Sequence, residues 1–195
     1  DYILCFSSRD RVYWLKVYEA PEGTRNSRGK PIVNLFPLEE GETITNVLRV
    51  MDFDNQANVF FATRRGTVKK TKLEAYSRPK KGGIRAILLD EGDEVVGVSL
   101  SKPGDTILLA SKDGQAIRFD EAAVRQMGRT SYGVRGIRLL DTDVVVGCVV
   151  ISDPNATLIT GCEAGHGKRT PVEEYPIKGR GGHAAMPNRS IDPVT

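Results

Sequence analysis

The sequence predicts an all-β protein made of repeated, propeller-like blades, and three observations point to that fold class. Short apolar runs rich in Val, Ile, Leu, Tyr and Phe, such as "NVFFAT", "TILLAS" and "ATLITG", lie between Gly, Asp, Asn and Pro residues, a pattern typical of strands joined by turns. These runs recur in one order about every 50 residues, a period typical of propeller blades. The composition, 39% apolar and 27% charged, is that of a globular protein able to bury a core.

Each repeating unit begins with a hairpin. The turns of four hairpins align at Asp10, Gly66, Gly114 and Gly165, within "SSRDRVYWLK", "ATRRGTVKKT", "ASKDGQAIRF" and "GCEAGHGKRT". Aspartate and glycine at these positions suit the tight turns that join antiparallel strands. The hairpin therefore predicts two neighbouring strands of one blade.

Two loops of opposite charge complete the unit. Each hairpin is followed by a basic loop that contains glycine: "RNSRGKPI", "RPKKGGI", "GRTSYGVRGI" and "KGRGGHA". Three of these loops continue into an acidic turn and another strand, in "PLEEGETI", "LLDEGDEV" and "RLLDTDVV". We therefore divide the chain into units at roughly residues 1–50, 51–99, 100–150 and 151–182, followed by an atypical tail at 183–195. A short helix is predicted only at "DEAAVRQM", from Asp120 to Met127.

The basic loops predict a binding surface for a curved polyanion. A single loop of this kind is most simply a solvated turn, but equivalent loops of a radial array project from equivalent edges and would form a belt. The net charge of +3 is small, but the acidic residues concentrate in the other turns, so the uneven distribution of charge matters more than its sum. The belt residues are Arg25, Arg28, Lys30, Arg78, Lys80, Lys81, Arg85, Arg129, Arg135, Arg138, Lys178 and Arg180. Five basic residues of the hairpins are further candidates for contacts with this polyanion: Arg65, Lys69, Lys70, Lys168 and Arg169.

The sequence gives little support to catalysis. It has no P-loop, no H-E-x-x-H motif and no cluster with metal-ligand spacing. The carboxylates of Asp90, Glu91 and Asp93 stand where a turn needs them. We therefore predict no catalytic residue, no metal and no cofactor.

The cysteines and apolar runs indicate a cytoplasmic protein. Cys5, Cys148 and Cys162 lack C-x-x-C spacing and lie in or beside apolar runs, so we interpret them as reduced core thiols. No stretch approaches the roughly 20 apolar residues of a membrane span. Trp14, on the first hairpin, is interpreted as a packing anchor rather than a platform for base stacking.

Several long motifs resemble the C-terminal domain of the DNA gyrase A subunit. They run in that family's order from residue 1 to about residue 182 and include "DYILCFSSRDRVYWLKVYEAPEGTRNSRGKPIVNLFPLEEGETITNVL", "GGIRAILLDEGDEVV" and "GQAIRFDEAAVRQMGRTSYGVRGIRL". The resemblance implies a β-pinwheel, a propeller-like disc in which adjacent blades exchange strands and DNA wraps around the basic rim. The family domain has about six blades and an upstream Q-R-R-G-G-x-G box, so the four units here are expected to be part of a longer domain.

The resemblance also implies a biological setting. The chain would be a non-catalytic module of a bacterial type IIA topoisomerase that bends DNA to support negative supercoiling. Its partners would be double-stranded DNA, the remainder of the gyrase A subunit and the gyrase B subunit, with no membrane involved. The location would be the bacterial cytoplasm, at the nucleoid, and the catalytic tyrosine and the ATPase would lie outside this chain.

Three alternatives stay open. The first is the corresponding domain of topoisomerase IV, a near neighbour of the same family. The second is a propeller-like scaffold that binds a protein and uses its basic loops only for solubility. The third is a small hydrolase built on the tail, because "GRGGHAAMP" and "DPV" resemble a segment of metal-dependent amidohydrolases. That resemblance implies that His183 would help to bind substrate. Beyond His166 and His183, however, the sequence offers no histidine to ligate a metal.

Overall fold

The computed structural model describes residues 1–53, 56–140, 142–161 and 165–182. The described residues form strands and short 3-10 helices, which confirms the all-β prediction. The strands are Tyr2–Ser7 (β1), Arg11–Lys16 (β2), Ile44–Val50 (β3), Asn58–Thr63 (β4), Thr67–Lys72 (β5), Ile84–Arg85 (β6), Val95–Ser101 (β7), Thr106–Ser111 (β8), Ala116–Asp120 (β9), Val134–Arg135 (β10), Val145–Ile151 (β11), Thr157–Gly161 (β12) and Gly167–Pro171 (β13). The 3-10 helices are Val17–Glu19, Ile32–Asn34, Leu73–Tyr76, Glu121–Ala123 and Val172–Glu174.

The strands form four antiparallel sheets. Their strand orders are β3-β1-β2-β6, β10-β5-β4-β7, β11-β8-β9 and β12-β13. The hairpins predicted from the turn residues are the centres of these sheets: β1 pairs β2, β4 pairs β5, β8 pairs β9 and β12 pairs β13. The strands that follow the acidic turns, β3, β7 and β11, form one edge of their sheets and pack next to one another.

Adjacent units exchange strands, as the resemblance to a pinwheel implies. Strand β6 follows β5 in the chain but pairs with β2 of the preceding sheet, through Ile84 opposite Val12 and Arg85 opposite Arg11. Strand β10 follows β9 and pairs with β5 in the same way. The end of each of these two basic loops is therefore itself the edge strand of the preceding sheet. Neighbouring units are joined in this way by backbone hydrogen bonds as well as by side-chain contacts.

The core lies between successive sheets. Aromatic side chains dominate the first junction, where Phe6 of β1 packs edge-on against Phe61 of β4 with ring centroids 5.4 Å apart. The second junction joins Phe60 of β4 with Ile107 and Phe119 of the third sheet. The second sheet buries apolar side chains on both faces, Phe61 in the first junction and Phe60 in the second, so it could not bury them alone. This need for neighbours on both sides explains the stacked repeats.

The cysteines within the described residues are free thiols, as predicted. Burial raises the pKa of Cys5 to about 11 and that of Cys148 to about 12. Both thiols are therefore unreactive at neutral pH. Cys162 lies outside the described residues.

One side chain per hairpin links each sheet to the next unit. Trp14, Lys70 and Arg118 occupy the same register position, opposite the third residue of β1, β4 and β8 respectively. Each donates an N–H to a backbone carbonyl in or beside the 3-10 helix of the following unit: the Trp14 Nε1–H to Tyr76 (2.9 Å), the Lys70 ammonium to Glu121 (3.2 Å) and the Arg118 guanidinium to Val172 (3.0 Å). We call these three residues the inter-sheet donors. Trp14 is thus a packing anchor, in agreement with the sequence-based interpretation.

The predicted helix at Asp120 to Met127 is reduced to one 3-10 turn at Glu121–Ala123. The backbone is extended at both flanking residues, Asp120 and Val124, because Asp120 ends β9 and Val124 is buried in the second junction. A run with favourable helix propensity is overridden here by its packing. No helix of the described chain is long and apolar enough to span a bilayer.

Circular dichroism should show a β-rich spectrum with an α-helix content well below a quarter. The physical reason is that the helical segments in the described part of the chain are 3-10 turns of three or four residues. A helix content above about a quarter, close to the average of globular proteins, would contradict the fold.

Candidate functional site

Three basic loops lie along the outer edge of the stacked sheets. We define loop 2 as residues 78–85, loop 3 as 128–138 and loop 4 as 177–182, and we call the surface that they form together the rim. Loops 2 and 3 contain β6 and β10. These are the edge strands of the first and second sheets, on the side opposite β3 and β7. Loop 4 begins at Ile177, which forms an isolated parallel bridge with Arg118 of β9, just as Gln126, two residues before loop 3, does with Lys70 of β5.

Glycine lets the first two of these loops lie directly on the outer strands. Gly83 has a φ of 70°, and a Cβ atom there would come within 2.7 Å of the Tyr13 ring. Gly133 has a φ of 112°, and a Cβ atom would come within 2.5 Å of the Val68 carbonyl oxygen. Both the positive φ and the close approach exclude a larger residue. The glycines of the basic loops are therefore needed for docking, while the charged residues between them remain on the surface.

Successive loops are bonded to one another. The Leu88 N–H, just after loop 2, donates to the Ser131 carbonyl of loop 3 (3.0 Å), and the Arg138 N–H of loop 3 donates to the Gly182 carbonyl of loop 4 (3.1 Å). The Gly181 N–H donates to the Gly136 carbonyl (2.8 Å). Loops 2, 3 and 4 are therefore one connected surface.

Two arginines add the same contact at both loop junctions. The Arg129 guanidinium of loop 3 donates to the Arg85 carbonyl of loop 2 (2.9 Å). The Arg180 guanidinium of loop 4 donates to the Arg135 carbonyl of loop 3 (2.6 Å) and to the Ala123 carbonyl (3.0 Å). Arg129 and Arg180 were predicted as DNA contacts, and the structure places both on the rim with part of their donor capacity used for holding the loops together.

Six of the predicted cations are exposed on the rim without an ion-pair partner among the described residues: Arg78, Lys80, Lys81, Arg135, Arg138 and Lys178. Arg85 is also exposed, but its guanidinium is paired with Asp10 at 2.5 Å. Cations without a protein partner are free to neutralise an external anion. The predicted set did not include Arg125, an exposed arginine three residues before loop 3. Its position ahead of "GRTSYGVRGI" could have added it to the candidate cations of that loop.

The first basic loop, residues 20–31, is separate from the rim. Arg25, Arg28 and Lys30 are fully on the surface, as predicted. Within the described chain, however, no hydrogen bond joins this loop to loop 2, and its own bonds are local, such as that from the Ser27 N–H to the Thr24 carbonyl. The structure therefore brings together three of the four basic loops.

Lys69 and Lys70 are the main corrections to the predicted set. Lys69 has no exposed surface, and its ammonium donates to the carbonyls of Ala86 (2.6 Å) and Arg129 (2.7 Å). Lys70 is buried and forms an ion pair with Glu121 at 2.8 Å. Alternation along β5 turns these side chains to opposite faces of the sheet, and both faces are covered by neighbouring units. Neither ammonium can reach a surface ligand.

Three further hairpin residues lie away from the rim. Arg65 is exposed at the β4–β5 turn, where its guanidinium lies beside Gly92 of an acidic turn. Lys168 is half-buried on β13, at the register position of Lys69. Arg169 stands at the register position of the inter-sheet donors, and its Nε–H donates to Thr157 Oγ1 (2.8 Å) just as that of Arg118 donates to Thr106 Oγ1 (2.9 Å). Arg169 nevertheless differs from Arg118 because it is exposed, whereas Arg118 is buried against the following unit.

The acidic turns lie at the end of the sheets where the hairpin turns also lie. Arg64 pairs with Glu94 at 2.7 Å, and Arg9 pairs with Glu39, so the hairpin turns neutralise part of the acidic charge. The sheets therefore carry unpaired positive charge along the rim and charges of both signs at this end. An elongated anion is attracted to the first surface and not to the second.

Potential metal ligands are scattered over the described part of the chain. Among the described residues no group of three His, Cys, Asp or Glu side chains is placed to hold a metal ion. His166 is exposed, and His183 with the rest of the tail at 183–195 lies outside the described residues.

Comparisons with known proteins agree with this architecture. A family described as "DNA gyrase C-terminal domain, beta-propeller" matches residues 1–51, 57–102, 105–152 and 158–186. The DNA gyrase A subunits of Salmonella typhimurium and Escherichia coli K12 are each 51% identical to this chain over 180 residues, which is 92% of this chain and 20% of the relative. The chain thus spans about a fifth of the length of these relatives.

Solved structures of the same kind superpose well. The C-terminal domain of a DNA topoisomerase IV matches with a TM-score of 0.87 and 27% identity, covering 95% of this chain and 58% of that one. The C-terminal domain of a DNA gyrase A matches with a TM-score of 0.79 over 95% of this chain and 59% of that one; at 24% identity this likeness shows the fold alone. On the family match and the sequence identities, this chain belongs to the DNA gyrase C-terminal domain family.

Proposed function

We propose that the rim binds the phosphate backbone of double-stranded DNA and bends the duplex along the outer edge of the sheets. The observation that carries the proposal is the row of six exposed, unpaired cations on three loops that, in the described part of the chain, are hydrogen-bonded to one another. Charge arranged along an edge, rather than in a pocket, suits a long anion with regularly spaced phosphates. The chain is then a DNA-wrapping module of a gyrase A subunit that supports negative supercoiling.

The proposed binding is independent of DNA sequence. Lysine and arginine side chains on loops contact phosphates without reading base edges, which normally requires an element inserted into a groove. Bending a site of 20 to 30 base pairs costs on the order of 1 to 6 kcal/mol, which a single loop cannot offset. Contacts to three successive loops can offset it, so bending depends on the connected rim.

The setting that we propose follows from the relatives. The chain acts without a cofactor, in the bacterial cytoplasm, together with the remainder of the gyrase A subunit and the gyrase B subunit, which hold the catalytic tyrosine and the ATPase. Topoisomerase IV is the second candidate, and it is favoured by the high TM-score to that enzyme's C-terminal domain. The sequence identity of 51% to gyrase A subunits favours gyrase.

Replacing Arg78, Lys80 and Lys81 together with alanine should weaken binding to duplex DNA to a similar extent for unrelated sequences. These three residues are exposed on loop 2 and have no ion-pair partner in the described part of the chain, so the change removes charge without breaking an ion pair of the fold. The slope of log affinity against log salt should become shallower by about one to three, roughly one for each phosphate that is no longer neutralised. Fluorescence anisotropy with labelled duplexes over a salt series measures both quantities.

The matched control removes three charges elsewhere: Lys72→Ala, Lys102→Ala and Lys112→Ala. All three lysines are exposed but lie off the three rim loops, so this variant should keep most of the wild-type slope. An unchanged slope in the loop 2 variant would show that this loop faces away from DNA. Equal losses in both variants would indicate attraction by net charge alone, and would favour a protein-binding scaffold over a DNA-binding rim.

A further inference from the structure

Lys69 is a buried lysine that joins two rim loops from inside. Its ammonium donates to the Ala86 carbonyl, next to Arg85 at the end of loop 2, and to the Arg129 carbonyl at the start of loop 3, at 2.6 and 2.7 Å. The Nζ lies 5.1 Å from the centroid of the Phe61 ring. The Tyr76 hydroxyl donates to the same Ala86 carbonyl at 3.3 Å. The two loops are therefore held from the outside by Arg129 and from the inside by Lys69.

The corresponding positions in the first and third sheets show that the fold does not require a lysine here. Tyr13 and Ile117 occupy this register position in those sheets, opposite the fourth residue of β1 and β8. The fourth sheet has Lys168 at this position, but that side chain is half-buried. Ile117 lies under the junction of loops 3 and 4, which is built with the same arginine contact on its outer side. An apolar residue thus suffices for packing at an equivalent junction. A buried amine that replaces it calls for a reason other than stability.

We propose that Lys69 is a positioning residue that fixes loops 2 and 3 relative to each other, so that a duplex contacts both at once. The inference rests on the proposed function, because the junction matters only if DNA lies across both loops. Three N–H donors of an ammonium hold two carbonyls firmly, whereas a neutral amine donates more weakly to the same carbonyls.

The surroundings of Lys69 place its titration near neutrality. Burial, together with the positive charge of Arg129, lowers the pKa of Lys69 from 10.5 to about 7. Within the described chain no carboxylate lies within ion-pair distance of its ammonium. The other groups that face it are the Arg129 guanidinium and the Tyr76 hydroxyl; burial raises the pKa of the Tyr76 hydroxyl, which therefore stays neutral near pH 7. The Arg85–Asp10 pair lies on the outer side of the same loop and is exposed.

The lowered pKa of Lys69 also links the stability of the fold to pH. Between pH 7 and 10.5 the unfolded chain holds a proton on Lys69 that the folded chain has released, so the free energy of unfolding rises with pH across this window. Below pH 7 the cost of burying the charge is fully present. The charged form that couples the loops is therefore the form that costs stability.

The test uses the 195-residue chain and two duplexes, one of about 10 base pairs and one of about 40, which are roughly one and four helical turns. Lys69→Met should bind the long duplex about fivefold more weakly than the wild type at pH 6.5, because the variant loses two charge-assisted hydrogen bonds that hold the loops together. The short duplex, which engages one loop, should bind both proteins equally. Lys69→Ile, which copies Ile117, is the second variant.

The outcomes separate the inference from the proposed function. If the wild type binds neither duplex, the proposed function fails and the inference fails with it. If the wild type binds but Lys69→Met matches it on the long duplex, only the inference is overturned. Should both variants fold poorly, hydrogen exchange of the wild type decides. The long duplex must increase the protection of the Leu88 amide, which bonds to Ser131 of loop 3, more than the short duplex does, and equal protection by the two duplexes would reject the proposal.

Discussion

Replacing Lys70 with methionine should lower the free energy of unfolding by about 3 to 5 kcal/mol, the usual cost of removing one partner of a buried ion pair. The Lys70 and Glu121 side chains are only 11% and 3% exposed, and the distance between the ammonium and the carboxylate is 2.8 Å. Without Lys70 the carboxylate of Glu121 stays buried, with neutral donors from Asn58 (3.0 Å) and Ser101 (3.1 Å) as its remaining partners. Urea denaturation at pH 7 measures the loss.

A double variant shows whether the isolated charge causes this loss. Adding Glu121→Gln to Lys70→Met removes the charge and keeps a carbonyl oxygen for Asn58 and Ser101. We expect the double variant to lie within about 1.5 kcal/mol of the wild type, because neutral replacements of a buried pair are often tolerated. Lys72→Met, at an exposed position on the same strand, should change stability by less than about 0.5 kcal/mol. A single variant that loses under about 1 kcal/mol, or a double variant as unstable as the single one, would contradict a buried pair that depends on both partners.

The repeat, the hairpins and the basic loops could be predicted because each depends on local chemistry. Turn residues recur where the hairpins turn, and apolar runs recur where the sheets bury both faces. The roles of Lys69 and Lys70 could not be predicted in this way. In "TVKKTK" they read as two more positive charges, and only the packing of the neighbouring units on both faces of β5 shows that both are buried.

Register comparison recovers part of what the linear sequence hides. Trp14, Lys70 and Arg118 share no chemical class, so no pattern of residue types would group them. They share an N–H donor and a position, which is sufficient to bond each sheet to the 3-10 helix of the next unit. Strand exchange was likewise expected only from the family resemblance, because β6 and β10 are two residues long and carry no strand signal of their own.

The interior contacts have a consequence for the surface. The rim loops are positioned by the outer strands on which they dock and by donors such as Lys69 and Arg129, and not by their own sequence alone. The stability of each junction therefore sets how well neighbouring phosphate-binding loops are aligned. Removing surface charge and loosening a junction should both reduce DNA bending, but only the first should reduce binding to a short duplex.

Removing all six unpaired rim cations should abolish the effect of the chain on DNA topology. The variant carries alanine at Arg78, Lys80, Lys81, Arg135, Arg138 and Lys178, and leaves Arg85, Arg129 and Arg180 in place because these residues also bond to the protein. A protein that makes about six or more phosphate contacts owes at least about 10³ of its affinity near 50 mM salt to them, so we expect a loss of this order. Without contacts on successive loops, the bending cost of about 1 to 6 kcal/mol is no longer offset.

The measurement is relaxation of a plasmid by a type I topoisomerase with increasing amounts of the chain, followed by separation of the topoisomers. The wild type should shift the linking number, although less than a gyrase C-terminal domain with about six blades, because three connected loops guide a shorter arc of DNA. The six-alanine variant should give the distribution of the plasmid alone, while the Lys72, Lys102 and Lys112 variant should behave like the wild type. Circular dichroism of each variant excludes unfolding as the cause.

A six-alanine variant that still shifts the linking number would place the DNA elsewhere on the molecule, with residues 20–31 and their three exposed cations as the next surface to change. A wild type that binds duplex DNA but leaves the linking number unchanged would show that the rim binds DNA without wrapping it.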